Sequence, residues 1–445
     1  MKEETNDLKK NLTLYGLVMI AAGACIGSGI FLVPASIATT LPIPSFILIA
    51  WFIGGIFTLT GALTYAELGA KFPKTGGVYV FLREAFGALP AFLYGWSLLT
   101  VVTSGAIAAL GIGFAIYFNK IIGLGSEWNV MVAISAIVFL TIINIVGVKV
   151  GEIVSSTLTT LKLIGIAIVV FIGIFLYQSA PEISWTMTAT AENPLSKSVF
   201  SSFSIAMIGV LWSYGGWYHA SFLAGETRNA KKTVPKAMII GTIIVMITYI
   251  SINYAYLRLL PLNEIQNSAA AAADAVSKFH PSGGLFIAIL IAISIFGTTS
   301  IYTMSAPRIY FAMAKDGVFF KALAKTHPYF KTPANAILIQ STWAILLVVF
   351  WQTFEDLITY VVFIDWVFLM LGALTIFIFR KRITNSEYDQ DTYKTPLYPF
   401  IPAFFVIVCA ILIISTLIEK PTQALAGTIL LGLGFGVFYL FKKED

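Results

Sequence analysis

Apolar segments of about twenty residues recur along the whole of this chain, separated by short polar connections. They fall near 14–38, 45–69, 91–118, 129–147, 153–177, 200–223, 237–260, 284–311, 335–352, 357–379, 399–418 and 423–441. Each is long enough to cross the roughly 30 Å of a bilayer's hydrocarbon core. The pattern predicts an all-α polytopic membrane protein with twelve spans. Composition agrees, since 58% of the residues are hydrophobic and 11% are charged. A soluble domain carries about 25% charged residues, so too little polar surface is present to cover one water-soluble core.

The first ten residues, "MKEETNDLKK", mix three lysines with three acids and lead into an apolar run with no A-x-A site. A removable signal peptide is therefore not expected. The two cysteines, Cys25 and Cys409, both lie in apolar segments, which excludes a disulfide framework and a zinc spacing. The net charge of +6 is unevenly spread. With the N-terminus in the cytoplasm, that side and its span ends hold 22 Lys and Arg and the opposite side holds 5, Lys162 alone lying well inside a span. The positive-inside rule then places both termini in the cytoplasm. The basic balance is a topology signal and not a nucleic-acid footprint.

Two spans are interrupted. The first breaks at "GACIGSG" and the sixth at "WSYGGWYHA", Trp212 to Ala220. Span one runs outward and span six inward, so the breaks occupy the first helix of two five-helix halves of opposite direction. The chain divides accordingly into a cytoplasmic tail (1–13), a first half (14–181), a second half (200–380) and two final helices with a short cytoplasmic end (395–445). Paired interruptions at corresponding positions of inverted repeats point to a ligand site near the membrane midplane. Gly23 and Gly27 also form a GxxxG, which helix packing alone accounts for. Packing does not require a matching break in the other half.

A broken helix is tolerated in lipid only where it lines a cavity or binds something. After the first break, Gly27, Ser28 and Gly29 are placed to offer N–H groups and a hydroxyl to a carboxylate. Before each break, free carbonyls at Cys25 and near Tyr214 and Gly215 suit an ammonium group. Side by side, the two receptors describe a site for an α-amino acid. Trp212, Tyr214 and Trp217 are candidates for its wall and gate, although aromatics at this spacing more often only pack.

Three buried titratable positions extend the picture. Lys162 lies about ten residues, or roughly 15 Å, from the cytoplasmic end of span five. Charges at that depth face a cavity or a partner. Its ammonium is expected on the carbonyls of the broken first helix and on Ser294 or Thr298 of span eight, a set of oxygens that could otherwise hold a sodium ion. Proton carriage and a purely structural pairing are the alternatives. Asp365 in "VVFIDWVF" of span ten is at similar depth and is read evenly as titrating, facing a cationic substrate group or hydrogen-bonded and neutral. His219 is favoured as a satisfied interior histidine.

The motifs "GSGIF", "YGGW" followed by "ETRNAKKTVPKAM", and "YAELGAKFPKTGGVYVFLREAFG" resemble those of the amino acid–polyamine–organocation (APC) transporter superfamily. "SAPRIYFAMAKDGVFFKALAKTHP" and "YKTPLYPFIP" resemble its L-type amino acid transporter branch. The matches run in order from span one to span eleven. The resemblance implies two inverted five-helix repeats plus two C-terminal helices, and movement of amino acids by alternating access. It maps the substrate-backbone site onto Cys25, Gly27, Ser28, Gly29, Trp212 and Gly215, with Trp212 as gate. Lys162 matches a lysine that replaces sodium in this group, so sodium-independent transport is expected.

Two departures bear on this. Animal members bind a glycoprotein heavy chain through a cysteine after span three, and "NKIIGLGSEWN" has none, so no such partner is expected. Relatives often carry asparagine at the position of Asp365, and an acid there bears on a neutral substrate. The leading expectation is a sodium-independent exchanger of neutral L-amino acids in the cell membrane, with proton-coupled symport as the alternative. A non-transporting sensor would be expected to carry an output domain or long tail. No H-E-x-x-H or G-x-S-x-G motif suggests an enzyme, and neither an ion-filter motif nor a charged ring suggests a channel. No cofactor or metal is expected.

Overall fold

The computed structural model describes residues 8–177, 198–268, 270–350, 354–382, 392–419 and 421–442, with Ile183, Trp185 and Leu195 between them. The first span is two helices, α1 (Leu14–Cys25) and α2 (Gly29–Thr40), joined by three non-helical residues. The Thr13 hydroxyl caps α1 by accepting the Gly16 N–H at 3.2 Å. A long helix α3 (Pro44–Lys71) follows, opened by proline at a position that needs no N–H.

The connection between the second and third apolar runs, residues 70–90, contains a helix of its own. This is α4 (Val78–Phe86), bounded by Gly77 and Gly87, both at positive φ. Span three is α5 (Ala88–Ser97), a π-helical turn (Leu98–Val102) and α6 (Thr103–Ile122). The next two spans are α7 (Asn129–Val146) and α8 (Val148–Phe171). The sixth is broken into α9 (Val199–Tyr214) and the single turn α10 (His219–Phe222).

Beyond it come α11 (Ala230–Leu259), two short connecting helices α12 (Leu262–Gln266) and α13 (Ala271–Phe279), then α14 (Gly283–Ser305) with its continuation α15 (Pro307–Lys315). The chain ends in α16 (Ala334–Phe350), α17 (Phe354–Arg382), α18 (Phe400–Glu419) and α19 (Pro421–Lys442). Among the described residues nine helical segments are long and apolar enough to cross a membrane, and two shorter apolar ones, Ala334–Phe350 and Gly427–Phe441, accompany them.

The broken helices sit inside the bundle. α1 packs against α8, α11 and α14, while α2 packs against α9. Leu17, Ile20, Ala21 and Ala22 of α1 are fully buried. The outer helices instead present large apolar side chains, such as Phe139 and Ile142 of α7 and Ile407 of α18, each more than half exposed. In lipid that exposure carries no penalty, because acyl chains are as apolar as the side chains themselves.

One fully buried and one partly buried ion pair tie the connections on the face that also holds the start of α1. Arg308 and Glu226 are both fully buried and meet in a two-bond fork of 2.7 and 2.9 Å. Arg380 and Glu67 form a second fork at 2.7 and 2.8 Å, and the Thr395 N–H adds a bond to the same carboxylate. Leu12 pairs with the backbone beside Glu226, donating to its carbonyl at 2.9 Å and accepting from the Arg228 N–H at 3.0 Å.

Candidate functional site

The two breaks meet face to face because one residue has no side chain. Gly216 sits at φ +114°, and a Cβ there would lie 2.8 Å from the carbonyl carbon and oxygen of Ala24. Only glycine combines that dihedral with such backbone approach. The hydroxyl of Tyr249, on α11, then ties the breaks together by donating within 2.8 Å of both the Cys25 and the Ser213 carbonyl oxygens.

Between the breaks lies a small cavity of about 40 Å³. Cys25, Gly27, Ser28 and Gly29 line one side; Trp212 and Gly215 line another. Thr298, Asp365 and His219 also reach it. Lys162 and Ser294 do not line it; they stand behind the unwound segment. Tyr214 and Trp217 do not line it either. Tyr214 donates to the Trp51 carbonyl at 2.9 Å, and Trp217 packs edge-on against Tyr65 at 5.2 Å. Of the three aromatics considered from sequence, Trp212 alone lines the cavity.

The polar groups of the unwound segment are divided between protein and cavity. Lys162 is fully buried and its Nζ donates to Gly23 O at 2.8 Å, to Thr298 Oγ1 at 3.0 Å and to Ile26 O, with Ser294 O at 3.4 Å. The Thr298 hydroxyl in turn reaches Gly23 O and Ile26 O at 2.8 and 3.0 Å. The Ser294 hydroxyl reaches Ile26 O and Gly27 O at 2.9 and 3.2 Å. The ammonium thus stands in a shell of oxygens from α1, the unwound segment and α14, the set in which a monovalent metal ion would also be held.

Two expectations are corrected here. The Cys25 carbonyl is not free for a ligand, because it accepts both the Gly27 N–H at 2.8 Å and the Tyr249 hydroxyl. The same bond removes the Gly27 N–H from the groups available to a carboxylate. A tight turn of the backbone across Ile26 causes both changes. The Tyr214 carbonyl is likewise engaged, by the Cys25 thiol at 3.4 Å. What remains toward the cavity is the pair of N–H groups of Ser28 and Gly29 at the start of α2, which have no intrahelical acceptor, and the Ser28 hydroxyl, buried and without a partner.

The GxxxG motif separates into two roles. A Cβ on Gly23 would come 2.2 Å from Thr159 Oγ1 and 2.7 Å from Ile301 Cδ1, so Gly23 serves helix packing. One on Gly27 would meet nothing closer than 3.5 Å.

At the opposite wall, Asp365 is buried, with Oδ2 accepting the Tyr218 hydroxyl at 2.6 Å and Oδ1 unpartnered. His219 Nδ1 lies 2.6 Å from Ser305 Oγ. The Ser305 hydroxyl hydrogen is committed to Ile301 O at 2.7 Å, so Nδ1 is the donor of that pair. Tyr302 stacks on the imidazole, with ring centres 4.3 Å apart. Tyr218, Tyr249 and Tyr302 were not singled out from the sequence. Nothing in linear order marks a tyrosine in the middle of a helix as the cap of a break two helices away.

A family model described as amino acid permease matches residues 12–438. The chain belongs to the amino acid permease family. The permease is 35% identical over 452 residues to the serine/threonine exchanger SteT of Bacillus subtilis (strain 168), covering all of this chain and 99% of that one. It is 28% identical over 442 residues to human b(0,+)-type amino acid transporter 1, covering 98% of this chain and 88% of the relative. With the human cystine/glutamate transporter it shares 26% identity over 449 residues, covering all of this chain and 87% of the other. Among the described residues of the permease no group of three or more His, Cys, Asp or Glu is placed to hold a metal ion.

Proposed function

We propose that the permease is a sodium-independent exchanger of neutral L-amino acids, a transporter and not an enzyme, working by alternating access. The observation that carries the sodium independence is the Lys162 ammonium, seated in an oxygen shell between the unwound segment and α14. A fixed cation in that shell leaves no place for a dissociable one. The likeness to SteT over its full length supports exchange of amino acids.

In this reading the substrate carboxylate takes the N–H groups of Ser28 and Gly29 and the unpartnered Ser28 hydroxyl, with Cys25 and Gly27 beside it. The substrate ammonium meets the Gly215 carbonyl, and Trp212 covers the site as its gate. Helices α1 to α8 (14–181) and α9 to α17 (200–380) act as two inverted five-span repeats, with the final pair (395–445) outside them, making twelve spans. Both termini lie in the cytoplasm, and the protein works in the cell membrane with no heavy chain and no cofactor.

Asp365 favours a second reading. A buried carboxylate oxygen without a partner, on the cavity wall, is suited either to selecting a hydrogen-bond donor on the substrate side chain or to carrying a proton. Proteoliposomes without sodium separate the readings. Uptake of labelled alanine, serine, leucine and arginine is measured with and without internal amino acid, at equal and at stepped pH. Exchange predicts uptake that depends on internal amino acid. Uptake into empty vesicles driven by the pH step would replace exchange with proton symport. Binding without flux would make the protein a sensor.

A further inference from the structure

His219 is held in one orientation on the wall of the cavity. It opens α10, is 1% exposed and is one of the lining residues. Tyr302 stacks on its imidazole with ring centres 4.3 Å apart, and Phe222 and Tyr218 follow at 4.8 and 5.2 Å. Its Nδ1 donates to Ser305 Oγ at 2.6 Å, and the Ser305 hydroxyl is itself anchored on Ile301 O at 2.7 Å. Ser305 is fully buried and does not line the cavity, so it holds the ring from behind.

That anchoring fixes the chemistry of the other ring nitrogen. Among the described residues no carboxylate bonds the imidazole, and a buried charge without a partner is costly, so the ring is neutral. With its one proton on Nδ1, Nε2 presents a lone pair. Nε2 has no hydrogen-bond partner among the described residues, and it is not sealed off from the cavity that His219 lines. Asp365 Oδ1 is a second buried acceptor without a donor on the same cavity. Water can satisfy such acceptors, but a ligand that displaces it must replace the hydrogen bond or leave the lone pair unpaired. The cavity of about 40 Å³ has room for about three waters, which restricts the group beside His219 to a short one.

We infer that His219 is a specificity-determining residue, its Nε2 accepting a hydrogen bond from the substrate side chain, so that the permease prefers short hydroxylated amino acids to alkyl ones of the same size. Ser305 is the positioning residue that keeps the proton on Nδ1. The inference rests on the reading of this cavity as the amino-acid site. Threonine and valine have the same shape and differ in one hydroxyl, so their ratio isolates the bond. One neutral hydrogen bond, with the cost of an unpaired acceptor in its absence, corresponds to a preference of about ten-fold.

Uptake of labelled threonine and valine into proteoliposomes loaded with alanine tests this, read as the ratio of their kcat/KM values. The wild type is expected to favour threonine about ten-fold. His219→Asn puts an amide N–H where Nδ1 stands, keeping the bond to Ser305, but removes the Nε2 acceptor; its ratio is expected to fall to within about two-fold of unity. His219→Gln places an amide oxygen near the Nε2 position and is expected to keep the preference. Ser305→Ala touches nothing in the cavity but frees the ring proton to move to Nε2, and is expected to lower the ratio several-fold with the melting temperature little changed. Equal uptake of threonine and valine by the wild type would overturn this inference alone, as would a ratio unmoved in both His219→Asn and Ser305→Ala. Failure of every amino acid to enter wild-type vesicles would overturn the amino-acid reading of the cavity and this inference with it.

Discussion

Adjacent glycines in the sixth span make opposite predictions. Gly215 adopts φ −65° and ψ 149°, extended backbone open to any residue, and its nearest obstacle to a Cβ is Trp212 O at 3.3 Å. Gly216 adopts φ +114°, and its Cβ would lie 2.8 Å from two backbone atoms of Ala24 and 3.0 Å from the Ala24 Cβ. The left-handed dihedral costs a side chain about 1–3 kcal/mol. Forcing an extra carbon into a filled contact costs a further 1–3 kcal/mol or so, and no flexible side chain is there to yield. Gly216→Ala is therefore expected to cost about 2–6 kcal/mol, a large part of an ordinary folding stability, and to push α1 away from the sixth-span break. Gly215→Ala is expected to cost under about 1 kcal/mol. Thermal unfolding followed by size-exclusion fluorescence, paired with uptake into proteoliposomes, reads both. A Gly216→Ala protein with wild-type melting and uptake would refute the account, as would equal damage from the two substitutions.

Other perturbations separate the roles of the site. Ser28→Leu places an isobutyl group at the first turn of α2 and is expected to abolish uptake with the melting temperature little changed; normal uptake would remove the carboxylate from that turn. Lys162→Ala leaves the oxygens of Gly23, Ile26, Ser294 and Thr298 facing an empty position, so uptake is expected to fall at least ten-fold and sodium to restore part of it. Unchanged kinetics with and without a pH gradient would reduce Lys162 to a structural role. Asp365→Asn keeps an acceptor for Tyr218 but removes the charge; a changed ranking of alanine, serine, leucine and arginine marks a selectivity residue, and loss of pH-driven uptake marks a proton carrier. Glu226→Gln strands the fully buried Arg308 guanidinium and is expected to cost about 3–5 kcal/mol, seen as a lower melting temperature that the added change Arg308→Met partly restores.

Much of this arrangement was legible in linear order. The apolar runs locate the spans because a bilayer fixes their length, and the breaks declare themselves through glycines that no lipid-facing helix needs. Lys162 was legible for the same reason, since an ammonium at that depth must have oxygens around it and the broken helix is the nearest supply. The division of labour inside the break was not. That Gly23 packs on Thr159, that Gly216 rather than Gly215 sets the approach of the two helices, and that Tyr249 occupies the Cys25 carbonyl all depend on neighbours more than a hundred residues away. The helix α4 was hidden by its bounding glycines, which read as loop and instead act as stops at positive φ.

The apportioning of backbone groups also explains why the cavity has a polarity. Unwinding residues 26–28 releases carbonyls on one side of the break and N–H groups on the other. The carbonyls of Gly23 and Ile26 are taken by Lys162 and Thr298, and that of Cys25 by Gly27 and Tyr249. A ligand arriving at α1 therefore finds its electron-rich groups mostly spent, while the positive end of α2 is still open. Lys162, when protonated, adds positive charge from behind the segment without reaching into the cavity. Both effects favour an anionic group at Ser28 and Gly29 and disfavour a cation there, so in the proposed reading an amino acid enters in one orientation. In that reading its ammonium points across to the sixth-span break, where Gly215 lines the wall. Asp365 lines the same cavity, and in the proposed reading it is the carboxylate whose substitution most directly tests the side chains the permease accepts.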